Sequence, residues 1–222
     1  MAKVYAMIAN GTEEVECLAV VDLLRRSGVE TVLVSVEESC EVTSSHKVRI
    51  TADTTLAQTD LSDGDVIFLP GGMPGAERLS ACEPLVEALE QADREERRIA
   101  AICAAPGVVL GRHGLLKGRT ATCFPGFEKE FQDGCYTHQG VVTDGNLTTA
   151  RGLGLPWIWG LRWWSYCWAA RQQRISAGAF SIPEIPENSR NRPTAWIAVG
   201  RFFERNHCMK RPPLTLRQQP VM

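Results

Sequence analysis

Cys103 ends the apolar run Ile99-Ala100-Ala101-Ile102 and precedes Pro106 by three residues. The run reads as a strand, and proline suits the first turn of a helix, where its missing N–H would have no helical carbonyl to meet. A thiol at such a strand-to-helix turn faces unpaired amides and the positive end of the helix dipole, which favour thiolate over thiol. Ala104, Ala105 and Gly107 leave the sulfur approachable. The chemistry this allows is nucleophilic attack on an electrophilic carbon. The same residues suit a small buried cysteine in an apolar stretch equally well.

Two further features would matter if they met this thiol. Gly71-Gly72 follows the apolar run Asp65 to Leu69, which places flexible backbone where N–H groups can face a developing oxyanion; a tight turn is the plainer reading. Glu16, in the first turns of an N-terminal helix, would donate a hydrogen bond to the sulfur if it were buried and protonated. Taken alone, a helical glutamate is a solvated charge. Cys135 and His138 form a single C-x-x-H pair, which without a second pair reads as a surface turn rather than a metal site.

The elements that must position these residues recur as strand, helix, strand. Lys3 to Ala9 is an apolar, β-forming run; Asn10-Gly11-Thr12 then turns the chain into Glu13 to Ser27, whose Val15, Leu18, Ala19 and Val21 make an apolar stripe ending at Gly28. Thr31 to Val36 and Asp65 to Leu69 are buried-type strands, with only short strands between them, around Val48 to Ile50. Glu83 to Arg97 reads as a charged surface helix, and Pro106 to Leu110 begins another. Thr120 to Cys123, Gly140 to Val142 and Leu147 to Ala150 supply late strands, the last two joined by a turn at Asp144-Gly145-Asn146. Continuous apolar strands alternating with amphipathic helices require a mostly parallel sheet covered on both faces, with sites at the carboxyl ends of its strands.

Composition divides the 222 residues in two. Met1 to Gly154 carries 14 Lys+Arg against 23 Asp+Glu, net −9; the remainder carries 10 against 3, net +7, and holds all 6 Trp. An acidic first part argues against binding nucleic acid through its phosphates. No stretch reaches the roughly 20 apolar residues that span a bilayer, and Val4 to Ala9 is too short for a signal-peptide core, so no membrane partner and a cytoplasmic location are expected. The eight cysteines, without paired C-x-x-C spacing, indicate free thiols in a reducing compartment.

Four blocks in order, GTEEVECLAVVDLLRRSG, DVIFLPGGMPGAERL, AAICAAPGVVLGRHGLLKGRTATCFPG and DGNLTTARGLG, resemble the ThiJ/PfpI superfamily, in its branch of Parkinsonism-associated deglycases and their bacterial relatives. The resemblance covers Met1 to Gly154. It implies a flavodoxin-like three-layer sandwich, a homodimer, and a glyoxalase III or protein deglycase activity on small aldehydes, with redox-sensing and chaperone roles as the alternative. By match, Cys103 is the nucleophile, Glu16 its protonated partner, and the amides of Gly72 and Ala104 the oxyanion donors; Gly71 lies in the pocket. Arg26 matches a dimer-side arginine near the site. His46 stands where relatives often carry arginine, and Phe124 where some carry histidine, which leaves the general base unassigned. Ala104 occupies the position of the histidine in the protease-like branch, which weakens a peptidase reading. No metal or other cofactor is expected.

After Gly154 the resemblance ceases. Relatives continue with a long amphipathic helix of the type GTALDxGLxxVxxLLG, whereas here the text is LPWIWGLRWWSYCWAA. Tryptophan has one codon, TGG, so part of a shifted reading can be deduced. Taking the third base of each codon with the first two of the next, Trp157-Ile158 forces Asp, Trp159-Gly160 forces Gly, and Trp163-Trp164 forces Val. Tyr166-Cys167 and Cys167-Trp168 each force Leu, and Trp168-Ala169 forces Gly. The string completes as ALDLGLEVVELLLG. Leu155 to Met222 is therefore expected to be out of frame, disordered, and without the helix that would cover one sheet face and part of a dimer surface. A genuine Trp/Arg-rich extension that binds a membrane or nucleic acid ranks below this.

Overall fold

A computed structural model describes residues 2–152. Strand β1 (Lys3–Ile8) alternates its side chains between two cores, which sets the layers. Val4, Ala6 and Ile8 pack against Cys17, Val20, Val21 and Leu24 of helix α1 (Glu14–Arg26). Tyr5 and Met7 point the other way, into the core shared with helices α2 (Gly75–Ser80) and α3 (Glu83–Arg94). Each fully buried Leu or Ile contributes about 1.5–3 kcal/mol, and Leu79, Leu85 and Leu89 fix the two latter helices in this way.

The remaining strands are β2 (Glu30–Ser35), β3 (Glu41–Thr43), β4 (Arg49–Thr51), β5 (Thr54–Thr55), β6 (Val66–Leu69), β7 (Arg98–Ile102), β8 (Thr120–Ala121), β9 (Cys135–Tyr136), β10 (Val141–Asp144) and β11 (Leu147–Ala150). Seven form one sheet in the order β10-β11-β7-β6-β1-β2-β5. All its pairs are parallel except the β10–β11 hairpin, turned by Gly145 at φ +59°. This is the mostly parallel sheet covered on both faces that the residues predict, and the flavodoxin-like three-layer sandwich that the resemblance implies.

Several local expectations are corrected. Helix α2 escapes the sequence because six residues opening on Gly75 are too short to show a period. Pro106–Gly111 forms a π-helical turn rather than an ordinary helix start, with Arg112 N–H donating to Gly107 O at 3.2 Å. Gly111 lets it run backbone to backbone, since a Cβ there would lie 2.4 Å from Glu130 O. Helix α3 stops at Arg94, ahead of Glu96 at φ +56°. The Cys135 to His138 segment is the short strand β9 followed by a His138 ring packed on Tyr136 at 5.0 Å, not simply a surface turn.

Candidate active site

Strand β7 delivers Cys103 directly, and the residue adopts φ +64°. For a side chain with a Cβ this left-handed backbone costs about 1–2 kcal/mol. It is held from both sides: Cys103 N–H donates to Ala150 O at 2.9 Å, and Phe124 N–H donates to Cys103 O at 2.8 Å. The strand β11 on one flank and the 122–125 turn on the other thus aim the thiol away from the sheet. Cys103 remains partly exposed.

Two glycines make the space beside it. A Cβ on Gly71 would lie 2.5 Å from both Cys103 Cβ and Glu16 Oε2, and 3.0 Å from Cys103 Sγ. The sulfur and the carboxyl therefore converge on one point that a side chain would fill. Gly72 sits at φ +92°, and a Cβ there would come within 2.2 Å of Glu13 N. With the turn pressed this close, the Gly72 and Ala104 amides both hydrogen-bond toward the Cys103 sulfur, while the Gly71 amide faces the Glu16 carboxyl.

Glu16 is 1% exposed, so the solvated-charge reading of this residue does not hold. Its Oε2 is the buried side-chain oxygen that lacks a hydrogen-bond partner among the described residues. Burial pushes its carboxyl up to about 7, helped by the charge of Glu13 and opposed by the Cys103 thiol and the Gly71 amide. Burial also pushes the Cys103 thiol up to about 12, with the Glu16 carboxylate adding to it and the Gly72 and Ala104 amides pulling down. Burial thus outweighs the amides at this turn, so the thiol is raised rather than lowered as its place at a helix start suggests. Two anions this close repel, so charge on one disfavours charge on the other, and a proton on Glu16 is what permits charge on sulfur.

The other anticipated residues divide. Phe124 is half exposed, and its ring lies 3.2 Å from where a Gly152 Cβ would be. That point is 3.5 Å from Glu16 Oε1 and 3.8 Å from Cys103 Sγ, so Gly152, at φ +149°, forms a wall that sequence reasoning passed over. The signal available was its place two residues after the last described strand. His46 lies in the β3–β4 turn with Nδ1 3.1 Å from Glu14 Oε1, at the entrance to α1 rather than on the sulfur. Arg26 stands ten residues beyond Glu16 on α1, about 15 Å along the axis. Its guanidinium is exposed and pairs with Asp22 at 2.7 Å, so it does not line the site of its own chain. Among the described residues the one group with metal-ligand spacing is Glu13, Glu14 and His46, which excludes Cys135 and His138. Cys17 and Cys123 are buried, and burial pushes both thiols up to about 12.

A flavodoxin-like sandwich with an acid-paired cysteine on a strained strand-to-helix turn defines a class of protein. Residues 2–163 match the DJ-1/PfpI family, and the chain belongs to it. The match continues nine residues past Gly154, where the quoted blocks end. The chain is 40% identical over 147 residues to protein DJ-1 homolog B of Arabidopsis thaliana, covering 66% of this chain and 34% of that protein. It thus spans about a third of that relative's length. It is 28% identical over 159 residues to the deglycase PfpI of Pyrococcus furiosus, covering 71% of this chain and 94% of that protein. The solved structure of oxidized Toxoplasma gondii DJ-1 superposes with a TM-score of 0.73 at 34% identity, covering 80% of this chain and 97% of that one. Among the described residues no helix is long and apolar enough to cross a membrane.

Proposed function

We propose that this chain is a cysteine-dependent glyoxalase III or deglycase-like enzyme, acting in the cytoplasm on small 2-oxoaldehydes or their adducts. The observation that carries this reading is the convergence of buried Glu16 and Cys103 on the space that Gly71 leaves open, with the Gly72 and Ala104 amides beside the sulfur. A relative described as a deglycase supports it.

With the proton on Glu16, the Cys103 thiolate adds to the aldehyde carbon, forming a C–S bond and an oxyanion that meets the two amides. Glu16 gives its proton to this oxyanion, which becomes the hydroxyl of the hemithioacetal. Glu16, now ionised, removes the hydrogen on that carbon and returns it to the neighbouring carbon while the hemithioacetal hydroxyl's proton passes to the neighbouring oxygen, giving a 2-hydroxy thioester with no net oxidation. Water then cleaves the thioester, releasing the 2-hydroxy acid and the thiolate. Lactate formed from methylglyoxal is the readout. Cys103→Ser should abolish it while leaving the unfolding midpoint in place; retained turnover would sink the assignment.

The second reading is a redox-sensing or chaperone-like protein in which Cys103 is oxidised without turnover, favoured by its partial exposure and by the oxidized state of the Toxoplasma relative. Peroxide titration of Cys103 beside the lactate assay separates the two. The assembly implied by the family is a homodimer, for which the exposed Val15, Leu18 and Val48 offer apolar area; sedimentation tests it.

Residues from Leu155 onward, where the tail's frame, disorder and missing helix are argued, lie outside the described residues, and the family match reaches residue 163. A reading-frame shift remains our explanation of their composition, and a non-functional product its corollary. Genomic DNA around the Gly154 codon decides it: codons for Trp157 to Trp168 that cannot be read as ALDLGLEVVELLLG refute the shift.

A further inference from the structure

Glu13 has no task in the mechanism, yet it touches both segments that surround the sulfur. Its Oε2 accepts the Glu16 N–H at 2.6 Å and so closes the first turn of α1. Ser, Thr, Asp and Asn are the usual side chains at such a position, and glutamate is not. The neighbouring Thr12 is engaged elsewhere, its Oγ1 accepting Ala9 N–H at 3.0 Å. The Glu13 N–H donates to Gly71 O at 2.9 Å, the contact that presses the two turns together. The side chain is 14% exposed, so its charge acts largely through protein.

The ionisable groups around it are Glu14, Glu16 and Cys17 on α1, His46 of the β3–β4 turn with Nδ1 4.0 Å from Glu13 Oε1, and beyond Glu16 the Cys103 thiol. Its charge acts on Glu16 and on Cys17, whereas the charge acting on Cys103 is that of Glu16. A carboxylate so near Glu16 disfavours a second charge there and so favours charge on sulfur relative to Glu16.

We propose that Glu13 is a positioning residue for the Cys103–Glu16 pair: its amide fixes the Gly71-Gly72 turn, and its carboxylate holds the start of α1 and biases negative charge in the pair away from Glu16 and toward sulfur. This rests on the reading of Cys103 as a thiolate nucleophile. Glu13→Gln keeps the acceptor for Glu16 N–H and the backbone amide, and removes only the charge. The test is iodoacetamide alkylation of the full chain from pH 5 to 9, with Cys103 followed as its own peptide by mass spectrometry. Glu13→Gln is expected to slow Cys103 alkylation about tenfold near pH 6.5 and to move the acid limb of the profile up by about one pH unit. Glu13→Ala is expected to slow it as much and also to lower the thermal midpoint, since the cap is lost. A Glu13→Gln profile superimposable on that of the unaltered chain overturns the proposal. A shifted profile in a chain that makes no lactate supports the proposal while the enzymatic reading fails; lactate with an unmoved profile does the reverse.

Discussion

The two edges of the one sheet are built differently. At the carboxyl edge the backbone is strained at Cys103, and Glu16 Oε2 is buried without a partner among the described residues. At the amino edge Asp93, Arg119 and Asn146 satisfy one another. Asn146 Nδ2 donates to Asp93 Oδ1 at 3.0 Å and to Arg97 O at 2.9 Å, and Arg119 reaches Asp93 at 2.8 Å and Asn146 Oδ1 at 3.0 Å. Half-buried polar groups that find partners stabilise, whereas a left-handed cysteine and an orphan oxygen cost free energy and persist only where the rest of the fold over-determines them. The difference teaches that reactivity is concentrated at one edge and its structural support lies in the sheet and the opposite edge.

The sharpest way to break this contrast is Gly71→Ala. Its new methyl would occupy the point on which Cys103 and Glu16 converge, so a loss of about 3 kcal/mol in urea unfolding and of Cys103 alkylation is expected. An unchanged alkylation rate would mean that the two groups do not share that space.

A comparable effect should appear in the pH dependence of stability. Folding raises the Glu16 carboxyl from the ordinary carboxylate range to about 7, so between about pH 4.5 and 7 the folded chain binds the proton that the unfolded chain has released. Stability from this group is therefore present at low pH and lost as pH rises through 7, by up to about 3 kcal/mol. Glu16→Gln should flatten that part of the curve in denaturation measured at pH 5 and pH 8; an equal slope in both proteins would place the proton elsewhere.

At the amino edge, Asn146→Ala should cost about 1–2 kcal/mol by leaving Asp93 and Arg97 O short of a donor, with the Cys103 alkylation profile unmoved. A moved profile would show the edges to be coupled. Smallest of all, Arg26→Ala removes an exposed pair with Asp22 and should leave the unfolding midpoint where it was. Loss of a dimer in sedimentation on that substitution would give Arg26 a place in the interface that its own chain does not provide.

The strands Lys3–Ile8, Glu30–Ser35, Val66–Leu69, Arg98–Ile102 and Leu147–Ala150 and the helices α1 and α3 were legible in the sequence to within one to three residues, because hydrophobic periodicity and turn residues are local properties of the chain. Cys103 and Gly71-Gly72 were legible as candidates for the same reason, a strand followed by small residues. What only the tertiary structure decided is that Glu16 is sealed from water, that Cys103 takes φ +64°, that Gly152 closes the pocket and that Glu13 joins two turns. These depend on segments far apart in the chain being brought within a few ångströms. Burial, repulsion between two acids and room for a missing Cβ are properties of that juxtaposition and of no residue by itself.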